Sequence, residues 1–147
     1  MKTAQDIKIV EVTPPAAKVD AAAFTTAAID TFGWSHLKIL CYIGDIDVNF
    51  AAMKLQMADN SSMTNAEDIT GTVGGTDFTL PTAAAGDNTI NTFDVDLRGK
   101  DRYIDLVATG GDGTAGTYMT VIGILSRPTI SPNSASERGV DGFAVSV

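Results

Sequence analysis

Hydrophobic and polar residues alternate with period two in three stretches of the chain. Ala51, Met53, Leu55 and Met57 fall on one side, with Ala52, Lys54 and Gln56 on the other. Phe93, Val95 and Leu97 alternate with Thr92, Asp94, Asp96 and Arg98, and Ile104, Leu106 and Ala108 oppose Tyr103, Asp105 and Thr109. Side chains of a strand point alternately to opposite faces, so each stretch predicts an antiparallel strand with one dry and one wet face. Leu37–Ile43 and Met119–Leu125 are apolar on both faces, which predicts central strands or strands beneath a subunit interface. Further strands are expected at about residues 7–12, 22–29 and 142–147.

Turn residues divide these segments: Pro14-Pro15, the DTFGW segment at Asp30–Trp34, Gly44–Asp47, and a long polar stretch from Asp59 to Thr76. The alanine-rich segment 16–28 is the one helix candidate, weakened by Thr25-Thr26 and the lack of a 3.6-residue period. Eight or so short strands at this spacing predict an all-β fold, an antiparallel β-sandwich of jelly-roll type. The length of 147 residues suits one domain. We place an extended N-terminal arm at residues 1–20 and the sandwich, with a C-terminal tail strand, at 21–147.

Charge narrows the partners. With 18 acidic against 10 basic side chains the chain carries −8, which argues against nucleic acid, since phosphate neutralisation needs clustered Lys and Arg, and against a polybasic membrane contact. No apolar run approaches the ~18 residues of a bilayer span, and the N-terminus lacks the apolar core of a secretory signal, so synthesis in a host cytoplasm is expected. One cysteine excludes an internal disulfide framework, and one histidine leaves little for a His-rich metal site. Neither catalytic machinery nor a cofactor or metal is expected.

Several motifs invite a chemical reading. Asp45, Asp47 and Asn49 are spaced like the start of an EF-hand loop, yet Phe50 and Gln56 stand where glycine and a bidentate glutamate belong. They read as a turn entering a strand, with a weak cation site as the alternative. The glycine-rich run Gly110–Gly116 lacks the Gly-Lys-Ser/Thr ending of a phosphate cradle and reads as a hairpin loop. Asp94 and Asp96, roughly 7 Å apart on one face, have a spacing glycosidases use, but also that of a solvated strand face beside Arg98. His36 reads as a turn residue, and Cys41 as a small core residue.

Attachment is the better-supported theme. Phe32 and Trp34 flank Gly33 at a turn, where they either cap the sandwich or anchor a partner. Ile7, Ile9, Val10 and Val12 form an apolar segment set off by Pro14-Pro15, and the tail ends on Phe143, Val145 and Val147. Either end could add a strand to a neighbour or fold back on its own domain.

The succession DTFGW, LKILCYIGDIDVNFAAMKLQMAD, GTDFTLPTAAAGDNT, FDVDLRGKDRYIDLVATGG and YMTVIGILSRP, about residues 30–128, resembles the small β-sandwich virion proteins of tailed bacteriophages and prophages, of the capsid decoration or cement type. The resemblance implies a jelly-roll-like subunit, often trimeric, on the outer surface of a shell of major capsid protein. Its partners would be that capsid protein and further copies of itself. The shell-facing side should then be the least acidic one, with the arm, the tail, or a patch including Lys2, Lys8, Lys18 or Arg127 as candidates. The alternative reading is a carbohydrate- or receptor-binding module of a tail or fibre. A hydrolase built on Asp94 and Asp96 comes third.

Overall fold

The computed structural model describes residues 6–13, 18–19, 23–110, 116–132 and 134–142. Ten strands occur among them: β1 (Ile7–Glu11), β2 (Lys18–Val19), β3 (Ala23–Thr25), β4 (Ile29–Asp30), β5 (Trp34–Ile43), β6 (Ala52–Ala58), β7 (Glu67–Asp68), β8 (Thr89–Asp96), β9 (Tyr103–Thr109) and β10 (Thr117–Pro128). A single 3-10 turn covers Ser136–Arg138. The segment 23–28 of the helix candidate is not helical, because β3 there runs along β9 and Thr26 N–H donates to Leu106 O of the same strand.

Two antiparallel sheets form. The first has the order β1-β10-β5-β8, with β2 also on β10; the second has β3-β9-β6-β7, with β4 also on β9. If β3 and β4 count as one interrupted strand and β2 is set aside, eight strands remain whose spatial orders are first-eighth-third-sixth and second-seventh-fourth-fifth. That is the jelly-roll path, two Greek keys wrapped into a sandwich. The doubly apolar segments are central, as expected: β5 lies between β10 and β8, and β10 between β1 and β5.

The core is the pair of facing inner surfaces. Leu37, Ile39, Cys41 and Ile43 of β5, with Met119, Val121 and Leu125 of β10, meet Met53 and Leu55 of β6 and Ile104, Leu106 and Ala108 of β9, all essentially inaccessible. Gly123 lies on the same side of β10, where an added Cβ would stand 3.0 Å from Ile29 Cδ1. Cys41 sits at full burial, which pushes its thiol up to about 12. The native protein is therefore expected to resist a thiol-specific disulfide reagent and to react fully once unfolded; rapid labelling of the folded protein would contradict the burial.

Of the two readings of residues 7–12, an arm added to a neighbour or a segment folded back on its own domain, the structure has the second. β1 pairs over its whole length with Ile122–Ser126 of the chain's own β10, and Val12 is buried in the core with Val10 packed against it. A strand that alternates inward Val10 and Val12 with outward Ile9 and Glu11 gains more by completing this edge than by standing in solvent. Of the strand expected at 142–147, residues 143–147, with Phe143 and Val145, lie outside the described residues.

Buried threonines continue the ladders where edge strands stop. Thr13 Oγ1, just beyond β1, accepts from Val121 N–H at 2.7 Å and donates to Met119 O at 3.2 Å. Thr26, in the gap between β3 and β4, accepts from Leu106 N–H at 2.9 Å, while its own N–H donates to Leu106 O. Thr72, past β7, accepts from Leu55 N–H and donates to Ile69 O. Each hydroxyl stands in for a backbone group the interrupted strand no longer supplies.

Candidate docking surfaces

The turn after β4 is built by short local bonds. Asp30 Oδ1 accepts from Phe32 N–H at 3.0 Å, Trp34 N–H donates to Thr31 O, and Thr31 donates to Arg102 O through both its N–H and its hydroxyl. Gly33 completes the turn with φ +85°, a conformation that favours glycine. Phe32 is consequently pushed out, 74% exposed. Arg102 backs it: the guanidinium binds Asp30 in a fork at 2.8 and 2.7 Å and lies 4.9 Å from the Phe32 ring centroid and 5.1 Å from that of Tyr103. The fork holds the Asp30 carboxyl below the usual carboxylate range.

The end of β10 arrives at the same place. Pro128 pairs with Trp34, Thr129 N–H donates to Gly33 O at 2.8 Å, and Phe32, Gly33, Trp34, Thr129 and Ile130 line a shallow concavity. Ile130, 83% exposed, and Phe32 are the most exposed large hydrophobic residues among those described. The structure thus joins Phe32 and Trp34, which the sequence singled out as an aromatic pair, with Ile130 and Arg102. No local pattern could have found the last two, since they reach the turn only through strand pairing.

This end of the sandwich carries both signs of charge: Arg98, Lys100, Arg102 and Arg127 stand with Asp30, Asp96 and Asp101, while Asp6 is hydrogen-bonded to Ser131 and Asp59 follows Ala58, the partner of Tyr103. Arg98 closes on Asp96, which holds that carboxyl well below its ordinary range. Lys100 and Arg127 form no ion pair among the described residues. Of the basic candidates named from the sequence, Arg127 belongs here, Lys8 lies on β1, and Lys2 falls outside the described residues.

The outward side of the first sheet is a second surface. Tyr42 stands opposite Thr120 and Ile90, and Leu40 opposite Ile122 and Thr92; Tyr42, Ile90 and Tyr118 are more than half exposed. On the β1 side, Ile9 and Ile122 border a groove with Val140, and Gly139 (φ +71°) packs so closely on the Ile9 carbonyl that no Cβ would fit.

The candidate chemical motifs resolve into structural contacts. Asp45 Oδ1 accepts from Asn88 Nδ2, Asp47 Oδ2 from Gly116 N–H, and Asn49 Oδ1 from Ala83 N–H, so the three fasten two loops, the one before β8 and the one before β10. Among the described residues no group of three or more His, Cys, Asp or Glu side chains could hold a metal ion. Gly111–Ala115 lie outside the described residues. Asp94 and Asp96 both project from the outward side of β8, the former bound by Lys38 at 2.8 Å. His36 is no turn residue: it sits in β5, its Nδ1 3.1 Å from Ser126 Oγ and its Nε2 3.4 Å from Asp94 Oδ1. These three side chains form a row across the outward side of the first sheet, in which Asp94 also accepts from Lys38.

The environment of Asp105 departs from its expected face. Opposed to Ile104 and Leu106 as predicted, it is nonetheless only 1% exposed, its Oδ1 without a hydrogen-bond partner among the described residues. Gln56, directly opposite, donates to Asp68 at 2.7 Å, and Lys54 also pairs with Asp68. Burial pushes the Asp105 carboxyl up to about 6, against a smaller lowering by Lys54.

No protein-family model matches the chain. No curated protein matches it either. Among solved structures, the crystal structure of the SPBc2 prophage-derived protein YomS is similar at 17% identity over 83% of this chain and 94% of that one, with a TM-score of 0.47. Among the described residues no helix is long and apolar enough to cross a membrane.

Proposed function

We propose that the chain is a structural protein of a phage particle, a capsid decoration or cement protein that binds the outer surface of the major capsid shell and stabilises it. The observation that carries this reading is the β4–β5 end of the sandwich: the two most exposed large hydrophobics among the described residues, Phe32 and Ile130, stand together there, with the Arg102 guanidinium behind the Phe32 ring. A body shaped this way presents an apolar knob beside the Arg102 guanidinium to the shell. Like charge on the rest of a chain carrying −8 separates decorated particles. The order of segments resembling virion proteins supports the same reading. Each contact is modest, and multiplicity supplies the hold when several copies engage neighbouring capsomers.

Imaging of purified particles tests it. Copies at symmetry-related positions on the shell are expected; a few copies at the tail tip would instead favour the receptor- or sugar-binding alternative, for which the Phe32 face beside the Arg102–Asp30 fork offers a stacking platform. The double variant Phe32→Ala/Ile130→Ala removes only exposed side chains, so the fold should persist while shell occupancy falls at least about tenfold. Undiminished occupancy would remove this end from the contact.

A further inference from the structure

We infer that Asp68, Gln56 and Asp105 form a proton-operated latch on strand β7: protonated Asp105 leaves the Gln56 amide on Asp68, and ionised Asp105 draws it away. The three lie side by side on the outward side of the second sheet, Asp68 of β7 opposite Gln56 of β6, and Gln56 opposite Asp105 of β9. Side chains paired across strands in this way stand within reach of each other. One amide therefore sits between two carboxylates, and its Nε2 serves Asp68 at 2.7 Å. Asp105, 1% exposed, has its Oδ1 without a hydrogen-bond partner among the described residues. A bare buried oxygen costs far more on an ionised carboxyl than on a neutral one, so ionisation favours whichever donor can turn to it.

The surrounding charges select that donor. Lys54 of β6 is held by both oxygens of Asp68, at 2.7 and 3.0 Å. Glu67 of β7 pairs with Met57, one position out of phase with Gln56, and so belongs to the other side of the sheet. Asp30 of β4 lies opposite Tyr103, two positions along β9, and is held by Arg102. β3 and the segment 26–28 carry no ionisable side chain. Gln56 is thus the donor that can turn without breaking an ion pair. Burial pushes Asp105 up to about 6, while hydrogen bonds from Lys54 and Gln56 hold Asp68 below its ordinary value. Through the titration of Asp105, Asp68 therefore stays ionised. β7 is two residues long, and the chain beyond it is tied to β6 by Ile69 N–H on Leu55 O at 2.9 Å. With Gln56 gone, Asp68 keeps Lys54 alone, and this edge loosens as pH rises. The latch belongs to the fold and is independent of what the chain attaches to.

NMR on the full chain from about pH 4.5 to 7.5 tests it. The side-chain amide signals of Gln56 should shift with the same midpoint as the Asp105 carboxyl carbon. Opening at Ile69 N–H, read by hydrogen exchange and corrected for the intrinsic pH dependence, should rise about tenfold over that span. Asp105→Asn should abolish both changes, whereas Gln56→Met should leave Asp105 titrating and make Ile69 opening independent of pH. A Gln56 amide that stays still while Asp105 titrates, an Asp105 that does not titrate in this range, or Ile69 opening that follows pH equally in wild type and both variants overturns the inference.

Discussion

Asparagine in place of Asp105 should raise stability at pH 7 by up to about 3 kcal/mol, the free-energy equivalent of a carboxyl moved about two units above its ordinary pKa. The sign follows from where the proton binds more tightly. Asp105 is pushed up to about 6 by burial in the native protein, whereas in the unfolded chain it titrates near 4. Between those values the native state holds more protons than the unfolded state, so stability falls as pH rises, by up to about 1.4 kcal/mol per pH unit. Above pH 6 the native protein carries a buried, incompletely bonded carboxylate. The substituted amide carries no charge, but its own buried donors keep the gain below the full amount.

Asp30 and Asp68 act in the opposite sense in a different window. Hydrogen bonds from Arg102 hold the first below its ordinary value, and those from Lys54 and Gln56 the second. Their contribution is present above about pH 4 and is lost as pH falls through their lowered native values. Both are partly exposed, so it is small. The wild type should therefore be most stable near pH 4 to 5. Urea titrations of wild type and Asp105→Asn at intervals from pH 4 to 7.5 test this: the difference should grow from near zero to its plateau above pH 6. A constant difference would mean that Asp105 does not titrate in this range.

Asp105 also shows how far alternation reaches. Period two assigned it correctly to the side opposite Ile104 and Leu106, but alternation names a face and is silent on whether that face is open. The same rule located β6, β8 and β9 closely, because alternation is local; its absence left β5 and β10 as central strands or strands beneath a subunit interface, and the pairing makes them central. It could not tell an arm from an edge strand at Ile7–Val12, whose apolar residues suit either; the deciding partner, Ile122–Ser126, lies over a hundred residues away. At the docking end, Gly33 between two aromatics was a local signal. Arg102 and Ile130 are made its neighbours only by the jelly-roll path.

The threonines at the strand ends supply the other large effect. Thr13→Val and Thr26→Val preserve shape and remove only a hydroxyl, so any loss of stability measures the ladder bond that hydroxyl replaces. With Thr26→Val, Leu106 N–H keeps no acceptor in a buried strand, at a cost of about 1–3 kcal/mol. Thr13→Val should cost as much or more, because Val121 N–H loses its acceptor and Met119 O its donor at once. Serine at either position restores the hydroxyl and should recover most of the loss, the missing methyl costing roughly 1 kcal/mol. Denaturant midpoints for the Val and Ser series decide it, with slopes unchanged if folding stays two-state. If Val and Ser variants are equally destabilised, the methyl packing rather than the hydroxyl holds these strand ends, and the interrupted β3–β4 edge must be closed by the backbone bond from Thr26 N–H alone.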